Sequence, residues 1–121
     1  MNEKINVDLI RSMLLTKTIG GQLLYFDVVE STMDTIRELA DSKAKEGTVV
    51  VAGSQKKGRG RRGRKWISKK GNLFTSIFFH LKNSYPTVEQ FTLINALINF
   101  DIIKKYCGRK KISYRRSSKY H

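Results

Sequence analysis

The sequence predicts an α+β domain in which helices pack against a mixed sheet. Three observations carry this. Segments of helical period alternate with short β-branched or period-two segments, in the order helix, strand, helix, strand, loop, strand, helix. At 121 residues, with 40% hydrophobic and 10% aromatic side chains, the chain has apolar material for one core, and a second domain is not expected. A single cysteine, Cys107, excludes an intramolecular disulfide and leaves nothing spaced like a zinc site, so packing must hold the fold.

Each element has its own signal. Ile5, Leu9, Met13 and Leu14 recur at helical spacing and predict a short amphipathic helix ending near Gly20-Gly21. The run from Leu23 to Val29 reads as a buried strand. In Glu30-Ser31-Thr32-Met33-Asp34 a hydroxyl is followed three residues later by a carboxylate, which marks a helix start. Ile36, Leu39 and Ala40 continue that helix, with Gly47 as its expected stop. Thr48 to Ala52 is β-branched and predicts a second strand. From Leu73 to Leu81 the chain alternates with period two and is apolar on both faces, which predicts a central strand. Beyond Pro86, Thr87 and Gln90 form a capping-box pattern. Phe91, Ile94, Leu97, Ile98 and Ile102 then mark one face of a long helix, ended by Cys107-Gly108. Lys111-Ile112-Ser113-Tyr114 begins a possible last strand, and Arg115 to His121 is polar and unpatterned.

The formal net charge is +14, but it is unevenly placed. Residues 1–53 hold six Lys/Arg against eight Asp/Glu. Lys56 to Lys70 holds nine basic residues and Lys104 to Lys119 eight, neither with any acid. No apolar run approaches the ~20 residues of a membrane helix, and the N-terminus lacks the basic-then-apolar order of a signal peptide. A reducing cytoplasm fits these features.

The first basic patch is Gly58-Arg59-Gly60-Arg61-Arg62-Gly63-Arg64-Lys65-Trp66, inside about twenty residues without strand or helix pattern. Glycines 58, 60 and 63 permit positive φ and close backbone approach. The arginines are forked, permanently charged donors suited to phosphate or carboxylate. On charge alone, such a tract belongs with nucleic-acid-binding modules, bound through counterion release. Its anchorage between two patterned strands and its terminal Trp66 favour instead a loop that closes over a small anionic ligand.

Glu30-Ser31-Thr32-Met33-Asp34, Gly53-Ser54-Gln55, the Gly58–Trp66 segment and Gly71-Asn72-Leu73-Phe74-Thr75-Ser76, in this order, closely resemble the biotin protein ligases. The resemblance covers about Ile19 to Ile112. It implies the first half of a biotin/lipoate ligase-like catalytic domain, of the class II aminoacyl-tRNA synthetase-like fold. Residues 1–20 would be an N-terminal helix and lead-in, 21–112 the partial catalytic domain, and 113–121 an aberrant or unstructured tail. The resemblance further implies that Ser31, Thr32 and Gln55 hydrogen-bond the biotin ureido group, whose neutral donors and acceptors hydroxyls and an amide can match. Helix capping alone also accounts for Ser31 and Thr32. Gly58, Arg59 and Arg61 would enclose biotin and the acyl-adenylate, and Trp66 would line the nucleotide pocket or pack beneath the loop.

The reaction so implied activates biotin with Mg-ATP to biotinyl-5'-AMP. It then transfers biotin to a lysine of a biotin carrier domain, such as that of acetyl-CoA carboxylase. ATP and biotin are the substrates, Mg2+ comes with ATP, and neither a membrane nor a DNA-binding domain is expected. The related lipoate ligase or octanoyltransferase group is the nearest enzyme alternative, and the Gly/Arg loop after Ser31-Thr32 argues for biotin. The family's Lys-Trp-Pro-Asn-Asp strand and its later lysine are not found before His121. The catalytic residues are therefore unassigned, and the chain is expected to be a truncated or frameshifted product, marginally stable alone and with little or no ligase activity. His80, Cys107 and His121 have no partners spaced for catalysis or metal binding and read as surface or capping residues.

Overall fold

The computed structural model describes residues 4–42, 44–80 and 86–107. The chain divides into two compact units, Met1–His80 and Leu81–His121.

The first unit is built on a three-stranded sheet of β1 (Leu23–Val29), β2 (Val49–Gln55) and β3 (Phe74–Ile77), in the order β1-β2-β3. β1 and β2 are parallel, with Leu23 opposite Val49. β2 and β3 are antiparallel, with Val50 opposite Ser76. The sheet is therefore mixed, as expected. The middle strand is a different one, however. Val49-Val50-Val51-Ala52 is buried throughout, whereas Thr75 and Ile77 of β3 are exposed and β3 lies at the edge of the described sheet. An uninterrupted apolar run marks a strand covered on both faces, and alternation is the weaker sign. β3 is also shorter than the period-two run. Phe78 still exchanges backbone hydrogen bonds with its neighbours, donating to Thr48 O at 2.9 Å and accepting from Gly47 N at 2.9 Å. Leu81 lies outside the described residues.

Helices cover both faces of the sheet. Leu23, Val49 and Val51 form a cluster on one face, against which Ile5, Val7 and Ile10 pack. Helix α1 (Val7–Met13) is capped by the Asn6 side chain, which accepts from Leu9 N at 3.0 Å, and Arg11 ties it to β1 by donating to Leu23 O at 2.7 Å. It stops well short of Gly20-Gly21 because Met13 and Leu15 have no core to meet; Leu15 is 99% exposed. On the opposite face, where strand alternation puts Val50, Ala52 and Ser76, helix α2 (Thr32–Ser42) packs on β2 and β3 with Ile36 buried.

Gly47 is not the stop of α2, which ends at Ser42. Its φ is +76°, and a Cβ there would lie 2.4 Å from Thr18 O. Its N–H donates to Phe78 O and its carbonyl accepts from Gly20 N, both at 2.9 Å, so it clamps the entry to β2 between two neighbouring segments. In the second unit, α3 (Val88–Tyr106) starts with the expected capping box. Gln90 N donates to Thr87 Oγ1 at 3.3 Å and Thr87 N to Gln90 Oε1 at 2.9 Å. Cys107 caps its C-terminus and is an exposed free thiol. Gly108, the possible strand at 111–114 and the tail at 113–121 lie outside the described residues. Among those described, no helix is long and apolar enough to cross a membrane.

Candidate functional site

β2 continues three residues past Ala52, to Gln55, and the Gly/Arg segment that follows is an ordered hairpin. Its arms are joined by backbone bonds from Gln55 N to Ser68 O at 3.0 Å, Trp66 N to Gly58 O at 2.8 Å and Gly60 N to Arg64 O at 2.7 Å. A 3-10 turn at Arg61–Gly63 forms the tip, where Arg62 (φ 58°) and Gly63 (φ 71°) take the left-handed conformation. Of the three glycines expected to permit positive φ and close backbone approach, Gly63 takes positive φ, as does Arg62 beside it. Gly58 is needed for space instead. A Cβ there would lie 2.4 Å from Ser68 Oγ and 2.7 Å from Trp66 O.

The base of this hairpin meets the start of α2. Ser31 caps the helix, its Oγ accepting from Met33 N at 3.2 Å and its carbonyl from Thr35 N at 3.0 Å. Ser31, Thr32 and Ser68 are all buried. A chain of hydrogen bonds runs beneath them. Ser76 Oγ donates to Thr32 Oγ1 at 2.9 Å, and Thr32 donates to Gln55 Oε1 through both its N–H (2.8 Å) and its hydroxyl (3.2 Å). Gln55 Nε2 donates to Ser68 Oγ at 3.0 Å, and Ser68 donates to Trp66 O at 3.3 Å. A carbonyl can only accept and a backbone N–H can only donate, so Trp66 O and Thr32 N together fix the direction of every bond in the chain. The Gln55 amide accordingly has one orientation, with its oxygen toward Thr32.

Above this chain lies an open cavity of about 270 Å³. Ser31, Thr32, Gln55 and Ser76 give it a polar lining, Met33, Leu73 and Phe74 an apolar one, and Arg59 and Trp66 come from the hairpin. A second cavity of about 580 Å³ lies along the hairpin itself, sharing Gln55, Arg59 and Trp66 and adding Gly58. Five of the seven residues singled out in the sequence therefore converge on one cavity. Gly58 lines its neighbour, and Arg61, at the hairpin tip, lines neither. Trp66 does not pack in a core; it is 64% exposed. Ser68 and Ser76 complete the hydrogen-bond chain; Ser76 stands within the Gly71–Ser76 motif but is not singled out there, and Ser68 has no sequence signal. Ser68 sits alone in a basic stretch and Ser76 is one polar position of an alternating strand.

Arg59 is the one charged residue lining the first cavity, whereas the second is also lined by Lys56, Lys57, Arg64, Lys65 and Lys69. The Arg59 guanidinium donates to the Asp34 carboxylate in the first turn of α2, and Lys57 pairs with Glu30 at 3.0 Å. Among the described residues no group of three or more His, Cys, Asp or Glu is arranged to hold a metal ion. His80 lines neither cavity. Its N–H donates to Glu46 at 2.8 Å and its ring lies edge-on to Phe78 at 5.2 Å. On β1, the Tyr25 hydroxyl donates to Asp27 at 3.1 Å and Lys4 pairs with the same carboxylate at 3.3 Å. These contacts, the Tyr25 hydrogen bond first, hold the Asp27 carboxyl below its ordinary value, while burial and then Asp27 push the Tyr25 phenol up.

The chain is similar to known proteins. A family model described as the biotin/lipoate A/B protein ligase family matches residues 25–120, reaching past Ile112. The bifunctional ligase/repressor BirA of Bacillus subtilis is 38% identical over 106 residues, 87% of this chain and 33% of that protein. Its namesake in Escherichia coli is 33% identical over 97 residues, 76% of this chain and 29% of that protein. Among solved structures, the biotin protein ligase of Leishmania major in complex with biotin aligns with a TM-score of 0.62 at 29% identity, over 69% of this chain and 34% of that one. The Aquifex aeolicus enzyme in complex with biotin and ATP aligns with a TM-score of 0.60 at 31% identity over the same shares. The chain thus spans about a third of the length of each of these four relatives. With the family model matched across both strands that frame the cavity, the hairpin between them and α3, the chain belongs to the biotin/lipoate A/B protein ligase family.

Proposed function

We propose that this chain supplies the biotin- and adenylate-binding part of a biotin protein ligase. The observation that carries the reading is the neutral floor of hydroxyls and one amide at Ser31, Thr32, Gln55 and Ser76, with the Arg59 cation at its edge. A ureido group is planar and neutral, with one acceptor oxygen and two N–H donors. The directed hydrogen-bond chain leaves the right complement. Ser31 Oγ accepts from Met33 N, so its own proton can be given to a ligand, and Gln55 Nε2 has a second hydrogen to give. Thr32 Oγ1 and Ser76 Oγ both spend their protons within the chain and offer lone pairs. Met33, Leu73 and Phe74 suit the thioether ring and alkyl chain of biotin.

In the reaction that follows from this reading, the biotin carboxylate oxygen forms a bond to the α-phosphorus of ATP and pyrophosphate leaves. The amine of a carrier-domain lysine then bonds to the acyl carbon and AMP leaves. Two anions must meet in the first step, which is the reason for arginines at the cavity edge. Arg59 would meet them at the cavity edge, and Arg61 would do so from the hairpin tip. Gly58 allows the hairpin to lie close, and Trp66 gives the nucleotide an apolar wall. The hairpin shields the mixed anhydride from water. Mg2+ arrives on the ATP phosphates, and the acceptor is a biotin carrier domain such as that of acetyl-CoA carboxylase. A reducing cytoplasm is the compartment where such a carrier would be met.

Calorimetric titration of the chain with biotin and with a non-hydrolysable biotinyl-AMP analogue tests this, with lipoate and octanoate as competitors. Biotin should bind in preference to both, and its affinity should change little between about 50 and 200 mM salt, because its head group is neutral. Preference for lipoate would move the chain to the other branch of its family. Binding of oligonucleotides in place of biotin, falling steeply with salt, would refute the reading.

A further inference from the structure

We propose that Asp34 is a positioning residue that holds the Arg59 guanidinium at the cavity edge before any ligand arrives. Asp34 lies in the first turn of α2, two residues past Thr32, and reaches the hairpin across 25 residues of sequence. Neither cavity is lined by an acidic residue, and the hairpin carries a dense run of cations that repel one another. A long arginine side chain in such a setting would sample many rotamers and drift toward solvent. Among the described residues, the Asp34 carboxylate is the acid paired with Arg59. Arg59 meets Asp34 Oδ1 through Nη2. A guanidinium has five N–H donors in a fixed fork, so a second edge remains to meet an anion by paired hydrogen bonds. With side chains 35% and 48% exposed, the pair lies at the mouth of the site, where an incoming anion can join it.

This rests on the reading above, in which the anionic end of the ligand meets Arg59. Its consequence is selective. A preordered guanidinium lowers the ordering cost only for ligands that use it. Losing Asp34 should weaken biotin, with its carboxylate, and leave the neutral carboxamide of biotin unchanged. The residue had a place in the helix-start motif, but nothing in the sequence linked it to Arg59.

The test uses the full chain with Asp34→Asn, Asp34→Ala and Asp34→Glu. Calorimetry with biotin and with biotinamide should show the Asn and Ala variants about three- to fivefold weaker for biotin and unchanged for biotinamide, with Glu restoring part of the loss. In an Arg59→Ala background, Asp34→Asn should change neither. An equal loss for both ligands, an unchanged biotin affinity, or an effect that persists without Arg59 would overturn the assignment. A ligand-free readout keeps it separate from the functional reading. In nitrogen NMR the Arg59 guanidinium signals should show restricted rotation in the wild type and free rotation in Asp34→Asn. If biotin and biotinamide both fail to bind the wild type, the functional reading fails, and the NMR comparison alone still upholds or overturns the hold of Asp34 on Arg59.

Discussion

Replacing Gly58 with alanine should open the hairpin while leaving the core intact. The added methyl carbon would lie 2.4 Å from Ser68 Oγ, 2.7 Å from Trp66 O and 3.2 Å from Gln55 Nε2. One of those atoms is backbone, and the other two are joined to each other by a hydrogen bond of 3.0 Å, so no single flexible side chain can step aside. Relief requires the arms to part, which strains or breaks the bond from Trp66 N to Gly58 O and the bond from Gln55 to Ser68. Overpacking costs about 1–3 kcal/mol, and each hydrogen bond contributes roughly 1 kcal/mol. A local loss of about 2–3 kcal/mol follows, enough to lower ligand affinity roughly thirtyfold or more where binding needs the closed hairpin. Hydrogen exchange reads this directly. The Trp66 and Gly60 amides should lose protection while those of Val50 and Val51 keep theirs. Unchanged exchange at Trp66, together with wild-type biotin affinity, would refute the packing argument.

Three further perturbations probe other parts of the chain. Thr32→Val keeps shape but removes the hydroxyl that accepts from Ser76 and donates to Gln55. It should cost about 1–2 kcal/mol in a urea melt and weaken biotin by a similar amount, and full biotin affinity in this variant would remove Thr32 from the recognition floor. Val50→Ala deletes two methyl groups from a side chain with no exposure; a fall in stability of about 2 kcal/mol is expected, and a loss below about 0.5 kcal/mol would place the core elsewhere. The Tyr25–Asp27–Lys4 cluster predicts two pH limbs. The Asp27 carboxyl is lowered, so its stabilisation is complete above the unfolded carboxylate value and is lost as pH falls through the lowered one. The Tyr25 phenol is raised, so its stabilisation is present below the unfolded phenol value and is lost as pH rises through the raised one. Asp27→Asn should flatten the acid limb, and NMR titration of Asp27 at an ordinary carboxyl value would contradict the geometry.

Local signals in the sequence transferred well, and signals that depend on neighbours did not. β1 spans the residues its apolar run marked, although it is not buried throughout, Phe26, Asp27 and Val28 being exposed; the Thr87/Gln90 capping box forms as written because a cap involves only residues a turn apart. The convergence of Ser31, Thr32, Gln55, Arg59 and Trp66 was legible only through motif resemblance; periodicity alone carries no distance between residues 31 and 66. Gly47 looked like a helix stop because glycine commonly ends helices, yet its role is set by Thr18, Gly20 and Phe78, none of them near it in sequence except through the sheet. Alternation in residues 73–81 predicts a central strand, but β2 holds that place in the described sheet by pairing on both sides.

The basic hairpin shows why charge counting and geometry point to different partners. Nine cations in fifteen residues favour any polyanion as long as the segment is treated as a flexible tract. Once the arms are paired from Gln55 to Ser68, those cations are sorted by position. Arg61, Arg62 and Arg64 sit at or beside the exposed tip, while Arg59 is turned back to Asp34 at the mouth of a cavity whose floor is neutral. A polyanion would meet the tip as a diffuse field. A ligand with a neutral head and one anionic end would use the floor and Arg59 together, and would use each only because Gly58 lets the arms close and the Trp66 carbonyl sets the direction of the hydrogen bonds beneath. On this reading the specificity of the site would reside less in the arginines that first draw attention than in the neutral floor and in Asp34, which holds one of them at its edge.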